Sequence, residues 1–125
     1  MAATLFVISP ARCGGERAAQ LARSQTAALG HRLRAADAPL GEVFAWLSAL
    51  YFRGKLTYAT RFASAAPGVL VMAPGLGLRT PDTRLSADDL AAMGRIEVES
   101  AAFVEPLRRD AVLLDRARPD ADVVL

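Results

Sequence analysis

TLFVIS at residues 4–9 is the stretch that decides the fold, and it runs directly into PARCGG at residues 10–15. The same order returns in VLVMA at residues 69–73, which runs into PGLGLR at residues 74–79. Each apolar, strand-forming run stops at a proline, and each following loop contains two glycines and an arginine. Continuous apolar runs of this length are typical of parallel strands that are buried on both faces. The two runs therefore predict an α/β fold built on a small parallel sheet.

A third apolar run closes the sequence and completes the predicted sheet. Residues 122–125 (DVVL) follow a helix-to-strand turn, so we expect about three parallel strands with helices on the faces of the sheet. At 125 residues the chain has the length of one domain, which we expect to span residues 1–125. Because the last run stops within a strand, we expect a truncated Rossmann-like domain that is incomplete at its C-terminus.

Helical patterns fill the segments between these strands. An apolar stripe with helical spacing runs over residues 40–51, and Gly54 is expected to interrupt the helix that carries it. Ser86 and Asp89 have the spacing of a capping box, which predicts the start of another helix. The remaining predictions are a helix over residues 16–29 that stops at Gly30, a loop over 31–38 and a last helix over 101–117.

The composition excludes several classes of protein. The chain is 53% hydrophobic and 22% charged, with a formal net charge of +2, which is the balance of a globular protein and not of a disordered chain. No apolar run approaches the roughly 18 residues of a membrane span, and no basic segment precedes the first apolar run as it does in a secretory signal. We therefore expect a cytoplasmic protein without a membrane partner.

Cysteine and histidine are too few for several kinds of site. Cys13 is the one cysteine and His31 the one histidine, so the sequence excludes an internal disulfide, a zinc cluster and a His-rich metal site. We expect no metal and no cofactor. Fourteen of the fifteen cations are arginine, which suits bidentate contacts with phosphate or carboxylate, although genome composition can produce the same bias.

The first glycine-containing loop is a candidate anion site. Ligands of open α/β sheets bind just beyond the carboxyl ends of the strands, and Ser9 stands at such an end. The amides of Gly14 and Gly15 lie at a predicted helix N-terminus, where an anion is favoured, and Arg12 can add a charged contact. We therefore expect these four residues to contact a ligand.

The second glycine-containing loop is expected to face the same cleft. Gly75, Gly77 and Arg79 are its candidate ligand contacts. A dinucleotide fingerprint would require a third glycine where Thr80 stands, so the pattern does not indicate a dinucleotide site. The alternative is that the two glycines permit a tight turn or a close approach of the backbone.

Cys13 and Asp82 are the candidate catalytic residues. A cysteine at a helix N-terminus can have a lowered pKa and act as a nucleophile, although Ala19 stands where a phosphatase loop requires arginine. The alternative for Cys13 is a small buried cysteine. Asp82 can act as a general base or as a hydrogen-bond acceptor in the cleft, and the alternative is an aspartate that caps a turn.

An aromatic and basic segment spans residues 51–58. Arg53 and Lys55 flank Gly54 and can bind phosphate, while Tyr58 can stack on a base. The alternative is that the aromatic residues fill the core and that the cations are only solvated. The segment leaves both interpretations open.

Several short motifs, in order along most of the chain, resemble a known group of proteins. They are ISPA at residues 8–11, YFRG at residues 51–54 with Tyr58, and APGLGL at residues 73–78 followed by Pro81 and Asp82. Together they are similar to a group of small bacterial α/β domains related in pattern to the peroxide-stress protein YaaA. That peroxide-stress protein has been linked to DNA binding and to protection against oxidative damage.

The resemblance implies a ligand but no particular reaction. It implies a nucleotide, nucleobase or DNA ligand at the loops around Ser9 and Arg12 and around residues 77–82. One position departs from the pattern of the group, since Leu76 stands where a lysine or histidine is usual.

Three functional hypotheses follow from these residues. The first is a domain that binds a phosphate-bearing ligand, such as a nucleotide or nucleic acid, at the two loops. The second is a nucleoside-directed or nucleic-acid-directed hydrolase or glycosidase that uses Asp82 or Cys13. The third is a protein-interaction module that forms a homo-oligomer through its C-terminal strand, because an unpaired apolar edge invites pairing. The sequence does not decide whether the protein is an enzyme.

Overall fold

A four-stranded sheet with helices on both faces forms the centre of the fold. The computed structural model describes residues 3–48, 50–64 and 66–125. Within these residues the strands are β1 (Thr4–Ile8), β2 (Ala38–Pro39), β3 (Val69–Ala73), β4 (Gly77–Arg79), β5 (Arg84–Leu85) and β6 (Asp122–Val124). The helices are α1 (Glu16–Arg23), α2 (Ala28–Arg34), α3 (Leu40–Ser48), α4 (Leu50–Phe62), α5 (Ala87–Gly94) and α6 (Ala101–Ala117). The predicted α/β fold is confirmed.

The strands of the main sheet stand in the order β4-β3-β1-β6, and β1 is parallel to both of its neighbours. In this register Val7 lies opposite Leu70 of β3, and Leu5 lies opposite Val123 of β6. The strands predicted over residues 4–8 and 69–73 are therefore confirmed. So is the third parallel strand near the end of the chain.

The predicted sheet of about three parallel strands is present as β3, β1 and β6, but β4 adds a fourth strand that is antiparallel to β3, so the sheet is mixed. The predicted loop is instead a tight hairpin, in which the Leu76 N–H donates to the Ala73 carbonyl at 2.9 Å. Gly75 and Gly77 have φ angles of +80° and +84°, which side chains other than glycine rarely tolerate. These two glycines turn the chain back onto β3.

The two faces of the sheet are buried by different helices. On one face, Ile8 and Val71 pack into a large core that receives side chains from α1 to α5. On the other face, Val7, Leu70 and Leu78 form a smaller cluster under Leu107 and Leu114 of α6. Because side chains alternate along a strand, β1 contributes to both cores.

The helix predicted over residues 16–29 is two helices, α1 and α2. The chain leaves α1 after Arg23, and the Ser24 hydroxyl accepts a hydrogen bond from the Ala27 amide at 3.0 Å before α2 begins. The predicted loop over 31–38 is also wrong, since α2 runs to Arg34. Gly30 does not stop a helix. A Cβ there would lie 2.8 Å from the Leu21 carbonyl oxygen, so the glycine lets α2 approach α1.

The apolar stripe over residues 40–51 is confirmed only within α3. Its side chains at Val43, Phe44 and Leu47 are buried, but Leu50 and Tyr51 are 81% and 77% exposed. The reason is that α4 turns a different face inward, with Phe52 and Ala59 as its buried residues. The predicted interruption at residue 54 is wrong too, because α4 continues through that position.

The last two helices follow their predictions. The capping box at the start of α5 is confirmed: the Ser86 amide donates to Asp89 Oδ2 at 2.8 Å, and the Asp89 amide donates to Ser86 Oγ at 3.0 Å. Helix α6 covers the predicted residues 101–117 with Pro106 inside it. Among the residues that the structure describes, no helix is both long enough and apolar enough to cross a membrane.

The loop after β1 packs backbone against backbone on the end of α5. A Cβ added to Gly14 would lie 2.6 Å from the Gly94 carbonyl oxygen, and a Cβ added to Gly94 would lie 2.8 Å from the Cys13 carbonyl oxygen. Both distances are shorter than real Cβ contacts, so two glycines facing each other allow this approach.

We predict opposite effects on stability for two glycine-to-alanine substitutions. Gly14→Ala should lower the free energy of unfolding by about 1–3 kcal/mol, because the added methyl group meets backbone that must shift. Gly54→Ala should raise it by about 1 kcal/mol, because the position lies within α4 and, apart from its chain neighbours and the backbone of the same helix, no heavy atom of the described residues lies within 4 Å of the added Cβ. Urea unfolding of both variants measures the difference, and equal effects would contradict the packing described here.

Candidate functional site

The strand order creates a switch point beside β1. The chain leaves β1 for β3 on one side, and after β4 it crosses to β6 on the other side. Ligands of open α/β sheets bind outside the carboxyl ends of the strands where the order reverses in this way. The fold therefore makes the carboxyl end of β1 the expected position for a ligand.

A cavity of about 440 Å³ opens at this position, between β1, β6 and α4. We call it the switch-point cavity. Its lining residues are Phe6, Val7, Ile8, Ser9, Gly54, Lys55, Tyr58, Ala59, Val124 and Leu125. Three of the predicted ligand contacts, Ser9, Lys55 and Tyr58, thus lie around one cavity although they come from separate parts of the sequence.

Helix α4 positions the cation and the phenol of this cavity. Lys55 is partly buried, and its Nζ lies 4.9 Å from the ring centroid of Tyr51. Tyr58 is 60% exposed and stands edge-on to Phe6 of β1, with ring centroids 6.0 Å apart. Its ring also meets that of Phe62, with centroids 4.6 Å apart. The cavity is therefore lined by a lysine, a tyrosine with an accessible ring and a serine among apolar residues.

The predicted contacts of the first loop face a second, smaller groove. Residues 10–14 line it together with Pro74, Gly94 and Ile96, and its volume is about 270 Å³. We call it the loop groove. The loops that follow β1 and β3 meet here, at residues 10–14 and Pro74. Ser9 lines the switch-point cavity and Pro10 lines the loop groove, so both lie near the end of β1.

Arg12 and Gly15 stand at the start of α1. Arg12 is exposed, and a Cβ on Gly15 would lie 3.5 Å from the Arg12 side chain, so the side chain passes over the helix N-terminus. Gly15 is the N-cap, and within the part of the chain that the structure describes it has no side-chain cap. The Arg12 side chain therefore lies close to the N-terminus of α1. Gly14 has a packing role against Gly94 as well.

The second loop does not bring its predicted contacts to the switch-point cavity. A Cβ on Gly75 would lie 2.5 Å from Ile96, and a Cβ on Gly77 would lie 2.9 Å from the Pro106 carbonyl oxygen of α6. Both glycines therefore permit a close approach, which was the alternative interpretation of the pattern. Arg79 lies in β4 opposite Val71, on a strand that runs away from the carboxyl end of β3.

Asp110 of α6 holds this hairpin in position. Its Oδ2 accepts a hydrogen bond from the Leu78 amide at 3.0 Å, and its Oδ1 accepts one from Arg109 Nε at 3.1 Å. Burial alone would raise the pKa of Asp110. The hydrogen bonds from Arg109 and Leu78 and the positive charges of Arg109 and Arg79 outweigh burial and lower this pKa.

Asp82 belongs to a turn at the start of α3. It is exposed, and its carboxylate accepts a hydrogen bond from the Thr80 hydroxyl. The carbonyl groups of the same turn cap α3: the Gly41 amide donates to Pro81 at 2.8 Å and the Leu40 amide donates to Thr83 at 2.7 Å. These contacts give Asp82 a role in the turn.

Cys13 is buried beside the loop groove. Its Sγ donates a hydrogen bond to the Ala11 carbonyl at 3.4 Å, and burial raises the pKa of the thiol to about 12. The thiol is therefore protonated at neutral pH, whereas a nucleophilic cysteine requires a lowered pKa. Among residues 3–48, 50–64 and 66–125, no group of three or more His, Cys, Asp or Glu side chains is arranged to hold a metal ion.

Sequence reasoning missed the aromatic partners of the cavity residues. Phe6 belongs to an apolar run and gives no sign that its ring meets Tyr58. The spacing of four residues between Tyr51 and Lys55, and again between Tyr58 and Phe62, was the available signal, since such pairs are neighbours on a helix.

No protein-family model matches the chain, and comparisons with the curated proteins and with the solved structures find no match either.

The lowered pKa of Asp110 predicts a specific dependence of stability on pH. A carboxylate with a lowered pKa in the folded state stabilises the fold above its usual pKa, and this contribution disappears as the pH falls through the lowered value. Asp110→Asn should therefore cost about 1 kcal/mol at neutral pH and progressively less in acid. Urea unfolding at several pH values measures this, with Asp115→Asn on the same helix as the control. A cost that does not change with pH would contradict the assignment.

The raised pKa of Cys13 predicts a thiol that does not react in the folded chain. At neutral pH we expect alkylation by iodoacetamide to be more than about a hundredfold slower than in the urea-unfolded chain, because both the thiolate fraction and access are reduced. Mass spectrometry of the alkylated chain over time measures the two rates. Similar rates in the folded and unfolded chain would show that the thiol is accessible and ionised.

Proposed function

We propose that this chain is a binding domain for a phosphate-bearing ligand of the nucleotide class, whether a nucleotide, a nucleobase derivative or a nucleic acid. The observation that carries the proposal is the switch-point cavity, which has a lysine, a tyrosine and a serine around it. Cavities of about 300–1,000 Å³ with apolar walls and a few polar groups are typical of small-molecule sites. At about 440 Å³ this cavity falls in that range.

Each polar group has a role in the proposed complex. The ammonium group of Lys55 meets the phosphate, and the ring of Tyr58 lies against the base. The hydroxyl of Ser9, at the end of β1, donates to or accepts from the sugar or the base. Arg12 and the first amides of α1, in the loop that follows β1, provide a second place for a phosphate group.

The remaining candidates of the sequence receive no ligand contact in this proposal. Arg53 is exposed on α4, and Arg79, Gly75, Gly77 and Asp82 have the structural surroundings described above. The contacts of Asp82 and the protonated thiol of Cys13 give no support to a hydrolase or glycosidase. The proposal keeps a Rossmann-like origin for the sheet and a cytoplasmic location.

The exposed edge at β6 supports a smaller, separate proposal. Val123 and Val124 are 48% and 41% exposed, and β6 is the outer strand of the sheet. A second copy of the chain that paired with this edge would form a homo-oligomer, which sedimentation of the free protein would detect.

We predict that Lys55→Met weakens the binding of thymidine and adenosine monophosphates about tenfold to a hundredfold, which is the loss of one charge-assisted hydrogen bond. Arg61→Gln is the matched control, because it removes one positive charge from the same helix outside the cavity lining and should change the affinity less than about twofold. Isothermal titration calorimetry measures both. Equal affinities of the wild type and Lys55→Met would remove the basis of the proposal.

A further inference from the structure

Helix α4 presents a row of large side chains to solvent. Tyr51, Lys55, Tyr58 and Phe62 follow one another at helical spacings of four, three and four residues, and we call this row the α4 stripe. The aromatic members are 77%, 60% and 52% exposed. Since contiguous exposed apolar surface on a soluble domain marks interaction sites, the stripe requires a partner.

The charge on α4 has one sign. The helix carries Arg53, Lys55 and Arg61 and no aspartate or glutamate. Two of these cations lie near rings of the stripe: Lys55 Nζ is 4.9 Å from the Tyr51 ring centroid, and Arg61 Cζ is 5.9 Å from that of Phe62. A second copy of the chain would bring these charges against one another, so charge complementarity favours an anionic partner.

The stripe is continuous with the switch-point cavity. Lys55 and Tyr58 line the cavity, while Tyr51 and Phe62 extend the row one turn beyond it in each direction. At 1.5 Å of rise per residue, the row from Tyr51 to Phe62 is about 16 Å long. The row is longer than a single nucleotide, so the stripe extends beyond the site at which one nucleotide would bind.

We infer that the phosphate-bearing ligand is a single strand of nucleic acid that lies along the α4 stripe, an inference that rests on the proposed function. Alternating rings and cations on one helix face provide stacking for bases and contacts for phosphates without reading their sequence. The strand is unpaired, because the bases of a duplex already stack on one another and their faces are closed to Tyr51 and Tyr58. The two cations that lie near rings of the stripe, Lys55 and Arg61, set the strength of the electrostatic contribution.

The test compares ligands of different length and pairing by fluorescence anisotropy. The probes are labelled oligodeoxythymidine and oligodeoxyadenosine of about eight nucleotides, their duplex, and the unlabelled mononucleotides as competitors. We expect the single strands to bind more tightly than the mononucleotides and the duplex, with similar affinities for the two base compositions. The logarithm of the affinity should fall with the logarithm of salt concentration with a slope of about −1.4, as two phosphate contacts require.

A substitution at the outer end of the stripe separates this inference from the proposed function. Tyr51→Ser should lower the affinity for the oligonucleotide about fivefold to a hundredfold, lower mononucleotide affinity less than about threefold through the lost contact with Lys55, and be rescued by Tyr51→Phe, which keeps the ring. Leu113→Ser, which removes a 55% exposed side chain from α6, is the control. Because Tyr51 is exposed, the variants should keep the melting temperature of the wild type.

Each outcome of this experiment has a distinct meaning. Mononucleotide binding that depends on Lys55, with oligonucleotides no tighter and no effect of Tyr51→Ser, would overturn the inference and leave the proposed function standing. Tighter binding of the duplex than of the single strands would also overturn it. If none of the probes binds, the inference and the proposed function are both wrong, and a protein partner for the stripe is the reading that replaces them.

Discussion

The burial of β1 on both faces and along both edges is the constraint on which the rest of the structure depends. Its side chains divide between two cores, Ile8 on the face of α1 to α5 and Val7 on the face of α6. Its backbone pairs with β3 on one side and β6 on the other. Because β1 is enclosed in this way, only its end can be accessible to solvent. The chain after residue 8 is therefore the part of this segment that a ligand can reach. The geometry of the candidate site follows from that exit.

Close approaches between backbones set the positions of the loops around this exit. Gly14 meets Gly94, and Gly77 meets the backbone of α6, where Asp110 accepts the Leu78 amide. These contacts draw the first loop toward α5 and the hairpin toward α6, in different directions. The two loops still meet at residues 10–14 and Pro74, but Arg79 lies in β4 and is separated from Arg12 and the end of β1. The residues that remain together, Ser9, Lys55 and Tyr58, do so because α4 packs across β1 through the contact between Tyr58 and Phe6.

The parts of the fold that could be predicted from the sequence are those that a few adjacent residues determine. The apolar runs of β1 and β3 and the reciprocal hydrogen bonds of Ser86 and Asp89 are properties of a few adjacent residues, and they could be predicted from the sequence. The antiparallel direction of β4 could not be predicted, because glycines permit a turn but do not determine the direction in which the next strand runs. The face that α4 buries could not be predicted either, since the helical pattern of α3 does not determine the rotation of the helix that follows. For the site, residue types indicated which side chains can bind phosphate, but only tertiary packing decides which of them meet.

The contact between Lys55 and Tyr51 has a consequence for the entropy of binding. A free lysine side chain has about 2 kcal/mol of rotamer entropy to lose when it is fixed against a partner. In this structure the ammonium group already rests over a ring, 4.9 Å from its centroid, one turn away on the same helix. Part of that freedom is therefore already lost in the folded protein, so an anion that meets Lys55 finds a partly preorganised cation. Tyr51 therefore influences the affinity for an anion without contacting the anionic group, because it restricts the conformations of the Lys55 side chain before the anion binds.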